Sequence, residues 1–350
     1  MIKLLLTLFV LQAISVSTYA SSHLQGSNTR LGSYSIEAKS TTISGISSGA
    51  FMATQMEIAF SRTIFGAGTI AGGIYGCAEG SSQTAQTTCM ALPKNIQVPK
   101  YINQAKKLAE SGQIDDLKYL ADHRLYIFAG TKDTLVNPLG STKLKEFYKD
   151  FVDAINIQLT NQVEAVHGFP TLEYGNPCNV QTTPWIINCG FDTAGEILKT
   201  MYGELQPRGE AVKSHLHQFS QEEFATSDSS LYASGWIYVP SACEQGESCK
   251  LHVALHGCAM NPDSIKDQFV LHAGYNEWAE TNQIIILYPQ AEKIRATNPY
   301  GCWDWYGYTG KNYATRNGPQ MIALKMMIDR VSSQHSAPSA SKKRQCCMAD

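Results

Sequence analysis

The chain is 350 residues long, 43% hydrophobic and only 17% charged. That is enough apolar material for a large core, and too little charge for disorder over most of the length. A formal net charge of −2 points away from nucleic acid or an anionic surface as partner.

The first twenty residues read as a signal peptide. Lys3 supplies the positive start, 4–14 form an apolar run too short to span a bilayer, and Thr18-Tyr19-Ala20 offers a cleavage site. The chain is therefore expected to be secreted, to the extracellular space or the periplasm, with no stable membrane anchor. Beyond the leader, apolar runs of strand length alternate with helical patterns. This implies α/β class: a mostly parallel sheet with helices on both faces, in a single domain over 21–332. A strand is expected over 35–43, a helix over 48–60 and a buried strand over 65–74. A Cys-bounded loop over 76–93 precedes a two-piece helix over 101–120. A strand over 125–129, a helix over 140–155 and a strand over 163–166 make one βαβ unit. The span 168–190 reads as loop. In the second half, strands are expected over 231–239, 251–255 and 284–288. A helix is expected over 264–280, an aromatic loop over 289–313 and a last helix over 320–332. The Ser/Pro/Lys-rich tail 333–350 reads as disordered.

Ten cysteines suit an exported protein. Cys77 with Cys89, Cys178 with Cys189 and Cys243 with Cys249 would close short loops, leaving Cys258 with Cys302. Spacing does not fix this, because eight cysteines admit on the order of a hundred connectivities. None of the spacings resembles a zinc knuckle, and no metal or organic cofactor is expected. His215 and His217 read as a solvated loop pair.

Gly45-Ile46-Ser47-Ser48-Gly49 is a G-x-S-x-G sequence between an expected strand and an expected helix. A nucleophile elbow needs its serine on a sharp turn, and flanking glycines remove side chains that would clash there. A serine hydroxyl is a weak nucleophile until a base takes its proton. An acid and a histidine should then follow, on loops after later strands. Asp133 follows the strand over 125–129, and His167 follows the one over 163–166. Both would lie on the sheet edge where Ser47 projects. Other histidines place less well: His123 precedes a strand, and His272 lies within a helix. For the oxyanion, the amides of Ser48 and of Cys258, after the strand end Leu255-His256-Gly257, are the candidate donors. His256 reads as structural rather than as a second base. Trp305 is the leading candidate for a substrate wall, with Trp303 and Tyr306 beside it.

The oxyanion strand here follows the nucleophile by about two hundred residues, whereas in most α/β-hydrolases it precedes it. Joining the last helix to the strand before Ser47 would restore the usual order, which is the mark of a circular permutation.

Together the elbow, the Asp133 and His167 spacings, Leu255-His256-Gly257-Cys258 and Cys302-Trp303-Asp304-Trp305 resemble the poly(3-hydroxybutyrate) depolymerases. The likeness runs from about residue 33 to 332 and is closest to the single-domain secreted type with a permuted α/β-hydrolase fold. It implies Ser47, Asp133 and His167 as triad, Ser48 and Cys258 as oxyanion hole, and Trp305 in the substrate crevice. It also implies a polyester or oligoester substrate. Multidomain members add a linker and a polymer-binding module. Neither is read here, so tight adsorption to crystalline polymer is not expected. Two other readings use the same residues: a carboxylesterase for small or feruloyl-type esters, and a non-catalytic secreted binding protein on a hydrolase scaffold. Oligomeric state is not legible.

Overall fold

The computed structural model describes residues 29–333. The leader over 1–20 and the tail from 334 onward lie outside the described residues. Eleven strands are named in chain order: β1 Ile36–Ile46, β2 Gly66–Ile70, β3 Arg124–Phe128, β4 Ile157–Thr160, β5 Phe169–Thr171, β6 Asn176–Pro177, β7 Ile186–Asn188, β8 Leu216–Ser220, β9 Ser234–Tyr238, β10 Cys249–Leu255 and β11 Ile284–Tyr288. The longer helices are α1 Ser48–Ala59, α2 Val98–Glu110, α3 Leu139–Tyr148, α4 Thr193–Tyr202, α5 Tyr275–Asn282 and α6 Pro319–Val331.

Eight strands form one sheet in the order β4-β3-β2-β1-β10-β11-β9-β8. The run from β4 to β11 is parallel, while β9 runs antiparallel to both of its neighbours, β11 and β8. Strands covered on both faces need apolar residues throughout. β11, Ile-Ile-Ile-Leu-Tyr, is fully buried, as is the second half of β1. On one face Phe51, Met56, Phe147, Leu324 and Ile328 pack over Ile43, Ile127 and Val253. On the other, Ile197, Leu198, Tyr275 and Trp278 pack over Ile46, Phe128 and Ile286. The direction of strand order reverses at β1, between β2 and β10, and such a switch point opens a crevice at the carboxyl ends.

Tyr34 N–H donates to the Val331 carbonyl at 2.8 Å. The two ends of the fold therefore abut, which is the geometry a circular permutation needs. All four disulfides are present: Cys77–Cys89, Cys178–Cys189, Cys243–Cys249 and Cys258–Cys302.

Several expectations are corrected. The strand before His167 is β4, not 163–166. Val163 and Ala165 carbonyls instead accept from Thr131 and Lys132, so that alternating apolar stretch braces the loop after β3. The helix expected over 140–155 stops at Tyr148. The loop over 168–190 contains a small parallel sheet, β5-β7-β6, clasped by Cys178–Cys189. The loop over 76–93 is partly helical, with a π-helical stretch at Ala85–Ala91. The helix expected over 264–280 is three pieces, broken at Lys266 (φ 57°) and Gly274 (φ 90°). α4 and β8 were not anticipated. His215 ends the turn before β8 and His217 lies in β8, each paired with its own glutamate: His215 with Glu280 at 2.9 Å, His217 with Glu244 at 3.0 Å.

Candidate active site

Ser47 stands between β1 and α1 with φ 55° and ψ −120°, a conformation that costs a non-glycine residue free energy. Its N–H donates to Ile70 O at 2.8 Å, and its carbonyl accepts from Ala50 at 2.9 Å, so strand and helix hold the turn from both sides. The glycines of the motif serve packing. A Cβ on Gly45 would lie 2.4 Å from the Gly49 carbonyl. One on Gly49 would lie 2.4 Å from His256 O. Close approach of β1, α1 and β10 thus requires both positions to be bare.

Asp133, on the loop after β3, and His167, on the loop after β4, meet in a 2.8 Å hydrogen bond between Oδ2 and Nδ1. Both are nearly buried, at 7% and 5% exposure. The other carboxylate oxygen accepts from Leu135 N at 2.9 Å and Val136 N at 2.8 Å, which fixes the acid's rotamer. Gln181 Oε1 accepts from His167 N–H at 3.2 Å, and the Trp185 ring lies edge-on to the imidazole at 6.1 Å. With Nδ1–H given to the carboxylate, Nε2 is the basic nitrogen. Ser47 and His167 line one cleft of about 720 Å³.

On the same cleft, the loop after β10 begins His256-Gly257-Cys258. Ala291 N–H donates to His256 Nε2 at 3.1 Å, so the ring carries its proton on Nδ1, which donates to Gly257 O at 2.7 Å. A trans peptide points its carbonyl and the following N–H in opposite directions. Anchoring the Gly257 carbonyl on this fully buried imidazole therefore turns the Cys258 N–H away from His256. Burial holds His256 down at about 4, which makes it a weak base, and its one lone-pair nitrogen already accepts from Ala291, so it reads as structural and not as a second base. Ser48 opens α1, where backbone N–H groups lack intrahelical partners. Its hydroxyl accepts from Trp303 N at 3.3 Å, tying the aromatic loop to the elbow.

The aromatic loop corrects one expectation. Trp303 is 0% exposed and packs against His256 at 5.4 Å, so it belongs to the core and not to the substrate wall. Trp305 does line the cleft, stacked on Phe51 at 4.0 Å, with Tyr306 edge-on to it at 5.8 Å. Beneath them lies Asp304, also 0% exposed. Its Oδ1 accepts from the amides of Tyr306, Gly307 and Tyr308, and its Oδ2 from the amide and hydroxyl of Thr309. Desolvation raises its pKa, and these donors partly offset that. The remaining walls were not foreseen. Leu135 and Val136 come from the Asp133 loop, Ala85 and Met90 from the π-helical stretch, and Met260 from the turn after β10. Leu135, Val136 and Met260 had only their nearness to Asp133 and Cys258 as a sequence signal, and Ala85 and Met90 had none.

A second cavity, of about 640 Å³, sits at the opposite, amino ends of β1, β3 and β10. Its His123 is buried against Glu57 at 2.6 Å. Among the described residues no group of three His, Cys, Asp or Glu side chains is placed to hold a metal ion. No helix among them is long and apolar enough to cross a membrane.

No family model matches the chain. A poly(3-hydroxybutyrate) depolymerase of Delftia acidovorans is 43% identical over 303 residues, which are 85% of this chain and 60% of that protein. A polyhydroxybutyrate depolymerase of Talaromyces funiculosus is 36% identical over 326 residues, 87% of this chain and 93% of that one. The chain belongs to the polyhydroxybutyrate depolymerase family. The family's solved structures share the fold. The crystal structure of the Penicillium funiculosum PHB depolymerase matches with a TM-score of 0.82 at 34% identity, covering 87% of this chain and 99% of that one. A serine-to-alanine variant of a PHB depolymerase, complexed with an R3HB trimer, matches equally well, at 0.82 and 35% identity. The fold is thus that of the α/β-hydrolases. Relative to the Delftia member, this chain spans about 60% of the length.

Proposed function

We propose that this protein is a secreted serine hydrolase cleaving the ester bonds of poly(3-hydroxybutyrate) or its oligomers. The reading is carried by the Asp133–His167 hydrogen bond of 2.8 Å, whose imidazole shares a cleft with a serine held on a strained elbow. Ser47 attacks the ester carbonyl while His167 Nε2 takes the hydroxyl proton. Asp133 holds the imidazole in the required tautomer and stabilises the imidazolium. The amides of Ser48 and Cys258 receive the oxyanion. His167 then protonates the leaving alcohol, the free end of the shortened chain. A water activated by the same nitrogen releases the 3-hydroxyacyl group. Trp305 and Tyr306 supply flat apolar walls against the methyl-bearing chain. Export through a leader over 1–20, one catalytic unit over 21–332 and a tail beyond it belong to the same proposal.

The test is Ser47→Ala assayed on polyhydroxybutyrate suspensions and on soluble oligomers. Turnover should fall by roughly a million-fold. Residual hydrolysis within a hundredfold of wild type would contradict the assignment. A serine-directed phosphonate should label wild type at Ser47 alone. A degenerate binding scaffold would stay unlabelled.

A further inference from the structure

The catalytic cleft is lined without fixed charge. Among the described residues, none of its lining side chains is Lys, Arg, Asp or Glu. Phe51, Met90, Leu135, Met260 and Trp305 give it apolar walls. Its polar lining, apart from Ser47 and His167, is uncharged: Ser82, Gln86, Thr297 and the hydroxyls of Tyr300 and Tyr306. The loop carrying Thr297 also holds Lys293 and Arg295, and neither of them lines the cleft. Two carboxylates stand directly behind the walls. Asp133 backs His167, and Asp304 lies under the Trp305–Tyr306 turn. The partners of Asp133 are two amides and His167, and those of Asp304 are backbone amides and a hydroxyl. Among the described residues no lysine or arginine forms an ion pair with either one. A second carboxylate entering this space would leave water without gaining a cation, and would meet like charge across a low-dielectric gap.

We propose that the cleft accepts the chain only where it is uncharged, so that a free carboxyl terminus on the unit adjoining the scissile ester is rejected. The inference rests on the function proposed above and deepens it. Every ester cleaved creates one new carboxylate, so the same field that excludes charged ends also expels the acid product. Interior esters of a long chain become the preferred substrate.

The experiment compares the 3-hydroxybutyrate dimer as free acid, as methyl ester and as terminal amide, at pH 8, by kcat/KM. In the dimer the single ester adjoins the terminus, so the end group must enter the cleft. The ester and the amide should be cleaved with similar efficiency, and the acid at least about tenfold less well. Gln86→Arg, which places a cation at the cleft mouth, should raise the acid's kcat/KM severalfold relative to the methyl ester. Equal rates for all three dimers would overturn the proposal. Slow cleavage of both acid and amide would also overturn it, since polarity and not charge would then decide. The same comparison on diethyl succinate and its half-ester separates the two claims. If both succinates follow the charge order while neither dimer ester nor dimer amide is cleaved, the charge rule stands and the polyester reading fails.

Discussion

Replacing His256 by leucine tests whether one buried imidazole sets the oxyanion geometry. The ring touches no substrate. It accepts from Ala291 N–H at 3.1 Å and donates to the Gly257 carbonyl at 2.7 Å. Leucine does neither, so a buried N–H and a buried carbonyl lose their partners, at about 1–3 kcal/mol each. Stability should fall by about 2–6 kcal/mol, and the assay must be run well below the new Tm. The freed Gly257–Cys258 peptide can rotate, and the donor proposed at Cys258 would be lost for part of the time. A whole donor is worth about 3–4 kcal/mol in the transition state, a factor of roughly 100 to 1,000. Loosening one without deleting it should lower kcat by about 10- to 100-fold. KM should change little, because the walls that bind the ground state are untouched. The measurements are kcat and KM on a soluble ester, with near-UV circular dichroism to confirm native packing. Affinity for a phosphonate transition-state analogue should fall in parallel with kcat. A folded variant with wild-type kcat would refute the positioning role.

Gly49→Ala should push α1 away from β10, because the new Cβ would lie 2.4 Å from His256 O and 2.6 Å from Leu255 O, both backbone atoms. A loss of about 3 kcal/mol in urea unfolding and more than a hundredfold in kcat is expected, and a fully active variant would refute that packing account. Asp304→Asn turns an NH2 group toward donors that now converge on Oδ2. The Trp305–Tyr306 wall should loosen, raising KM about tenfold with a smaller effect on kcat; an unchanged KM would count against it. Stability should also depend on pH through His256 and His252, which burial pushes down to about 4 and about 3. Above the ordinary value of about 6.5 both histidines are neutral in either state. Below it the unfolded chain takes up protons that the folded chain refuses, so stability falls with pH, by up to about 2.7 kcal/mol per unit for the pair. Urea midpoints that stay level between pH 6.5 and 5 would refute this.

Much of the site was readable because its chemistry is local in sequence. The elbow motif, the acid after an apolar strand and the His-Gly-Cys strand end each occupy a few residues. β11 was read at its observed bounds, since five apolar residues in a row suit a strand covered on both faces. The failures share a cause: tertiary partners chose the backbone. Residues 163–166 alternate like a strand, yet their carbonyls go to the loop after β3. The helical pattern over 264–280 runs through Lys266 and Gly274, where positive φ breaks it. Trp303 and Trp305 stand two places apart in one motif, and only packing decides which faces His256 and which faces the cleft. α4 could have been found. Asp192 caps it, accepting from Gly195 N at 2.9 Å, and Asp-Thr-Ala-Gly-Glu is a readable helix start.

The abutment of Tyr34 and Val331 carries a consequence for biosynthesis. Chain order puts Ser47 first and delivers β10, with the proposed oxyanion donor Cys258 after it, only about two hundred residues later. A nascent chain can build the run β1-β2-β3-β4 and carry Ser47, Asp133 and His167 while β10 is still unmade. On the mechanism proposed above, such an intermediate would hold the nucleophile and the base but only one of the two oxyanion amides. Ester cleavage would therefore switch on late, when the strand from the distal half slots in beside β1.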